Sequence, residues 1–213
     1  FVQFGLQTSW EPFLYEILQK SDYEKEVKRI YNLFLGITSL ICLLIILNSK
    51  LLLKILTNPS YYPAASIIGF VSITSMLDII RQISGCGPVV AKKTKYLSYM
   101  ELFASLSSVI FFIILHKQIG IIGLSIAFLG GNLIKFIWSW RMTKLLTNIN
   151  INILLTILFI TILIILNIFY IIFNIPSKLS IIISIFAIIL YLFYTKNYII
   201  KGYKLLYNKI LNK

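Results

Sequence analysis

Asp78 and Arg81 stand three residues apart inside an apolar run, a spacing that puts both on one face of a helix, where opposite charges can neutralise each other. In such a setting a charge is expensive, roughly 2.5 to 3.5 kcal/mol near a bilayer centre even on an insertion scale, so each one needs a reason to be there. One reason is a buried ion pair that fixes how helices pack. The other is chemical: Arg81 faces a water-filled cavity and offers its planar fork to a phosphate, while Asp78 holds it or titrates. Lys135 is a further cation in an apolar run, with Asn132 three residues before it on the same helical face. Its long stem is expected to snorkel to the nearby membrane surface; alternatively Lys135 and Asn132 form a polar wall at the inner mouth of a cavity. Glu101 reads as interfacial. Glu11 sits beside Pro12, whose missing N–H frees a backbone carbonyl, and the pair could host a cation or proton.

No constellation for covalent or metal chemistry accompanies these residues. His116 is the single histidine, and neither Cys42 nor Cys86 has a partner at metal-ligand spacing, so both read as free thiols. A Gly-rich phosphate loop is missing too. An enzyme is therefore not expected, nor a metal or cofactor.

The elements that position the charged residues are set by composition. Of 213 residues, 59% are hydrophobic and 15% aromatic, with mean hydropathy +0.90, whereas a soluble domain is roughly half apolar. Between Lys144 and Lys178 there is no charged side chain at all, room for one span of roughly 20 residues with its flanks. The expected fold is all-α, a polytopic membrane helix bundle. Six spans are drawn: Ile30 to Ser49, Tyr61 to Ala91, Tyr96 to Leu115, Ile119 to Trp140, Ile151 to Phe173 and Leu179 to Thr195. Residues 1–18 read as the end of an earlier helix, 19–145 as four spans of one lobe, 146–195 as two further spans, and 196–213 as a tail. That tail carries Ile199, Tyr203, Leu206, Tyr207 and Ile210 at helical spacing with Lys201 and Lys204 turned away, a basic amphipathic helix suited to an anionic leaflet.

The net charge of +13 would suggest nucleic acid in a soluble protein. Here the basic residues lie in the connections and read as topology signals, so nucleic acid is not expected as a partner, while membrane lipids are. With six spans, fourteen Lys and Arg fall on one side and four on the other. By the positive-inside rule the side with the 19–29 loop, the Lys92, Lys93, Lys95 turn and the C-terminus is cytoplasmic. Breaks within spans read in two ways. Gly120 and Gly123 are expected to serve close helix packing, and Gly85, Gly87 and Pro88 either packing or a hinge. The chain opens on Phe1 with no basic leader, as the C-terminal part of a longer protein would.

An ordered set of short motifs then points to a family. Gln7, Trp10, Pro12 and Phe13 stand in QTSWEPF; Tyr61, Tyr62 and Ala64 open the second span; Gly87 and the Lys92, Lys93, Thr94 turn close it; and Gly120 to Ala127 reads GIIGLSIA. This order, over most of residues 1–145, resembles the C-terminal half of Wzx-type polysaccharide flippases of the multidrug/oligosaccharidyl-lipid/polysaccharide exporter superfamily. The chain departs from the family pattern at Leu124, where a small residue is usual, and at Ser105, Ser107 and Ser108, where asparagines are usual. The resemblance implies the second lobe of a two-lobe exporter plus two extra C-terminal helices, in the cytoplasmic (inner) membrane of a bacterium. It implies transport of an undecaprenyl-pyrophosphate-linked oligosaccharide by alternating access, in O-antigen, lipopolysaccharide or capsule biosynthesis, with polysaccharide-assembly proteins as further partners. Arg81, Lys135 and Asn132 would then bind the substrate, and Asp78 and Glu11 would couple an ion or hold Arg81. A cation-coupled drug exporter of the same superfamily is the nearest alternative. A membrane-embedded polymerase or glycosyltransferase is the more distant one, and would need a larger outer loop than this sequence has.

Overall fold

A computed structural model describes residues 10, 12–147, 149–173, 176, 179–189 and 191. The described residues form helices and their connections, with no strand among them. Helix α1 covers residues 12–18; α2, Tyr23–Leu56; α3, Ala65–Ser84; α4, the single turn Gly87–Val90; α5, Lys95–Leu146; α6, Leu154–Phe173; and α7, Leu179–Ile189. By length and composition, α2, α3 with its flanking turns, α5 and α6 can each cross a membrane. Helices suit that solvent because each satisfies its own backbone hydrogen bonds where no water can.

Helix α5 is two legs, each long enough to cross a membrane, because it folds back on itself at Ile119 and Gly120. In one straight helix Glu101 and Lys135 would stand about 50 Å apart at about 1.5 Å per residue, yet their charged groups are 2.7 Å apart. The reversal rests on Gly120, whose φ of +57° and ψ of −132° suit a residue without a Cβ. A Cβ on Gly120 would meet nothing within 4 Å, so this is a turn residue rather than the packing glycine its spacing suggests. Gly123 does pack closely: a Cβ there would lie 2.7 Å from the Leu115 carbonyl oxygen, across the turn. His116 and Lys117, expected in a connecting loop, are among the last helical residues before the turn. Gly131 makes a close contact between the legs, where a Cβ would run into Ser108 Oγ and lie 2.7 Å from the Ala104 carbonyl oxygen. Phe103 and Trp138 stack across the same seam, with ring centroids 5.4 Å apart.

The second expected span is broken at the glycines and proline that mark it. After Ser84 the chain leaves helical geometry at Gly85 and resumes at Gly87 with Pro88 in the first turn, where a missing N–H costs no helical bond. The break is held from outside: Gly87 N–H donates to Thr143 Oγ1 at 3.0 Å, and Thr143 Oγ1 donates to the Ser139 carbonyl at 3.1 Å. Gly85 and Gly87 both lie so close to α5 that a Cβ on either would collide with Ser139 or Thr143. At the opposite end, α2 stops at Thr57, extended ahead of Asn58 and Pro59, and the 3₁₀ turn Pro59–Ala64 leads into α3.

Helix α3 is the centre of the bundle, packed against α2, α5 and α6. Its Ile73, Leu77, Ile80 and Ile83 are fully buried with Tyr31, Leu35 and Ile46 of α2 and Phe136 of α5. Trp10, Leu14 and Ile17, at helical spacing, bury one face of the N-terminal segment in the same core. Polar seams cross between helices: Tyr31 bonds Thr156, and Asn48 Nδ2 donates to Ser184 Oγ at 2.8 Å. Outside the core, Leu106, Val109, Ile110 and Ile113 of α5 and Leu158, Ile162, Ile165 and Phe169 of α6 are exposed, as lipid-facing side chains should be.

The span edges shift for one reason. Helix α2 runs well past the expected Ile30 to Ser49, because Lys25, Lys28, Lys50 and Lys54 continue the helix beyond the apolar stretch that marks the hydrocarbon. The sixth expected span is described only as far as α7 and Tyr191, and the amphipathic tail lies outside the described residues.

Candidate functional site: four charges between α3 and the α5 hairpin

Asp78 and Arg81 project from the part of α3 that faces the hairpin. Asp78 lies about 9 Å and Arg81 about 4.5 Å from the Ser84 end of α3 at about 1.5 Å per residue, so Arg81 stands in the last turn before the break at Gly85. Arg81 Nε donates to Asp78 Oδ1 at 3.4 Å, as the spacing of three residues requires. The second leg of the hairpin brings Lys135 to the same carboxylate, with Nζ 3.7 Å from Asp78 Oδ1. The first leg brings Glu101, whose Oε2 lies 2.7 Å from Lys135 Nζ. Arg81, Asp78, Lys135 and Glu101 thus form a row of alternating sign on three membrane-spanning segments, with no net charge.

Exposure divides this row. The side chains of Lys135, Asp78 and Arg81 are 14%, 15% and 16% exposed, whereas Glu101 is 52% exposed. Glu101 is the member at the surface of the bundle, and the other three sit behind it. Among the described residues Arg81 uses only Nε for its ion pair, which leaves the terminal nitrogens of its fork for another acceptor. Ser75 lies on the same side of α3, and Gln82 Oε1 is buried with no hydrogen-bond partner among the described residues.

Two sequence expectations change here. Lys135 does not snorkel to the surface; its stem turns to carboxylates on two other segments, because an ion pair inside the span removes the need to reach water. Asn132 does not join it in a polar wall. It is buried, and its Nδ2 donates to the Phe128 carbonyl of its own helix at 3.0 Å. Glu11 lies outside the described residues. Glu101, interfacial by its sequence position, is instead a member of the charged row. A signal for it exists: with the turn placed at Gly120, Glu101 and Lys135 fall at similar distances along the two legs, and Glu101 is the one carboxylate of the hairpin.

The arrangement sets two cations beside two carboxylates. Among the described residues no group of three His, Cys, Asp or Glu side chains could hold a metal ion. Compared with known proteins, the chain matches no protein-family model, no curated protein and no solved structure.

Proposed function

We propose that this bundle forms one wall of a transporter that carries a lipid-linked oligosaccharide, joined through pyrophosphate, across the membrane by alternating access. The physical problem in such transport is an anionic, polar head crossing oil while its lipid tail stays in the bilayer. A pathway solves it with cations fixed at membrane depth, whose own cost is offset by nearby carboxylates until substrate arrives. The observation that supports this reading is the Arg81 fork, held through Nε by Asp78 with its terminal nitrogens unengaged among the described residues, beside the Lys135 ammonium. Arg81 would bind phosphate oxygens in a bidentate manner, Lys135 would add a point charge, and Asp78 would keep both in place. Asn132 would act indirectly, through the packing of α5.

The reading places the basic ends of the helices and the C-terminus in the cytoplasm of a bacterium, with the glycan delivered to the outer leaflet for polysaccharide assembly. Its test is export in cells. Replacing Arg81 with Ala should cut surface glycan at least about tenfold while the protein remains in the membrane at normal abundance. Normal glycan export by that variant would refute the assignment.

One observation favours a cation-coupled exporter instead: the cluster contains two carboxylates, Asp78 and Glu101, as well as two cations. On that reading Asp78→Asn would remove drug resistance and leave surface glycan intact.

A further inference from the structure

We infer that Glu101 is a built-in stand-in for the substrate's phosphate: its carboxylate occupies the place on Lys135 that an incoming phosphate oxygen takes, and it leaves when that oxygen arrives. The inference rests on the function proposed above and adds to it a residue that sets when the site can bind.

Three features of the cluster carry it. The Glu101 to Lys135 contact, at 2.7 Å, is the shortest ion pair in the row, so the ammonium is engaged by an oxyanion at full hydrogen-bonding distance. Glu101 is also the one half-exposed member, at 52% against 14% for Lys135, so an anion approaching from the surface of the bundle meets the carboxylate first. Finally, Asp78 stays 3.7 Å from Lys135, so the ammonium keeps a carboxylate partner while Glu101 is displaced. Without that second partner the exchange would pass through an unpaired cation inside the membrane, which is costly.

Charge balance gives the exchange its direction. With Glu101 in place the row is neutral and has little attraction for anions at a distance. With Glu101 swung out the remaining three side chains carry one net positive charge, and a phosphate oxygen can pair with Lys135 and the free end of Arg81 together. A site built this way avoids holding stray anions when empty, and it binds a pyrophosphate, with its several oxygens, better than a single carboxylate or chloride. No covalent step is involved.

The test uses the full chain in phosphatidylcholine nanodiscs, with inorganic pyrophosphate as the probe and titration calorimetry as the readout. Glu101→Gln, which keeps the shape and removes the competing charge, should bind pyrophosphate about tenfold more tightly than wild type, a difference of about 1.4 kcal/mol. Glu101→Asp, whose shorter stem weakens the hold on Lys135, should fall between the two. Lys135→Gln should lose binding. If wild type binds and Lys135→Gln does not, yet Glu101→Gln binds no more tightly, Glu101 is not a stand-in and the proposed function is untouched. Binding that survives Lys135→Gln would put the anion elsewhere and overturn the inference. If neither wild type nor any variant binds pyrophosphate, the inference and the proposed function fall together. Phosphatidylglycerol, set against an equally charged lipid that carries a carboxylate and no phosphate, separates the sources of phosphate: suppression by phosphatidylglycerol beyond that of the carboxylate lipid would identify a phospholipid head as the competitor at the site, and equal suppression by both would be surface repulsion and exclude it.

Discussion

The Lys135 ammonium lies 3.7 Å from the Asp78 carboxylate, so one acidic side chain on α3 serves two cations, Arg81 on its own helix and Lys135 on the hairpin. Asp78 is therefore the hub of the row. Removing one member of a buried ion pair strands the other, at a cost of about 3 to 5 kcal/mol. Asp78→Asn should lower the unfolding free energy in detergent by that order, read as a fall in the thermal unfolding midpoint. Adding Arg81→Gln should recover part of the loss, because the stranded cation is gone. A single Asp78→Asn variant as stable as wild type would show that the pairs contribute nothing to packing.

Two glycines should respond to alanine for different reasons. At Gly120 there is open space around an added Cβ, so Gly120→Ala loses stability only through its positive φ, about 1 to 3 kcal/mol. At Gly87 the backbone of Thr143 stands in the way, so Gly87→Ala must part α4 from α5 and cost about 1 to 3 kcal/mol by overpacking. Trimming the neighbour with Thr143→Ala should not rescue Gly87→Ala, since the Thr143 Cα is itself in the path. Thermal unfolding of the single and double variants checks both statements, and full rescue would contradict the second.

The topology can be read by labelling. Cys42 and Cys86 are buried and free, so they should stay silent to a membrane-impermeant maleimide. Ser60, Thr94, Gln118 and Asn150 are exposed at the two ends of the bundle and accept cysteine without burying it. In intact cells Ser60→Cys and Gln118→Cys should label, while Thr94→Cys and Asn150→Cys should label only after the membrane is opened. The reverse pattern would invert the assigned orientation.

How far the sequence reached can be judged from particular residues. The Asp78 and Arg81 pair was legible because both lie on one helix, where a spacing of three residues fixes their proximity. The partners of Lys135 were not, because contact between segments depends on the register in which the hairpin legs pack, and that register is set by Gly120, Gly131 and Ser108. Membrane-length helices were legible from hydropathy, yet their ends were not, since lysines can extend a helix past the hydrocarbon without breaking it. The interruption at Gly85, Gly87 and Pro88 was visible as a break. Its attachment to Ser139 and Thr143 came only with the fold.

Loss of an interhelical hydroxyl contact offers a milder check on the bundle. Thr156→Val leaves the buried Tyr31 hydroxyl without its partner on α6, and membrane-embedded hydrogen bonds average about 0.6 kcal/mol with a maximum of about 1.7. The unfolding midpoint should fall slightly, and less than for Asp78→Asn. A loss as large as that of Asp78→Asn would mean that α2 and α6 are held mainly by this bond.

The most direct test of the central claim is flipping itself, measured in proteoliposomes with a fluorescent oligosaccharide joined to its lipid through pyrophosphate. Charge-assisted hydrogen bonds are worth about 1.5 to 3 kcal/mol, so Arg81→Ala should slow the appearance of substrate in the far leaflet at least about tenfold. The folded state of the variant is checked in the same preparation by its unfolding midpoint. A folded Arg81→Ala protein that flips the pyrophosphate-linked substrate at the wild-type rate would contradict the account.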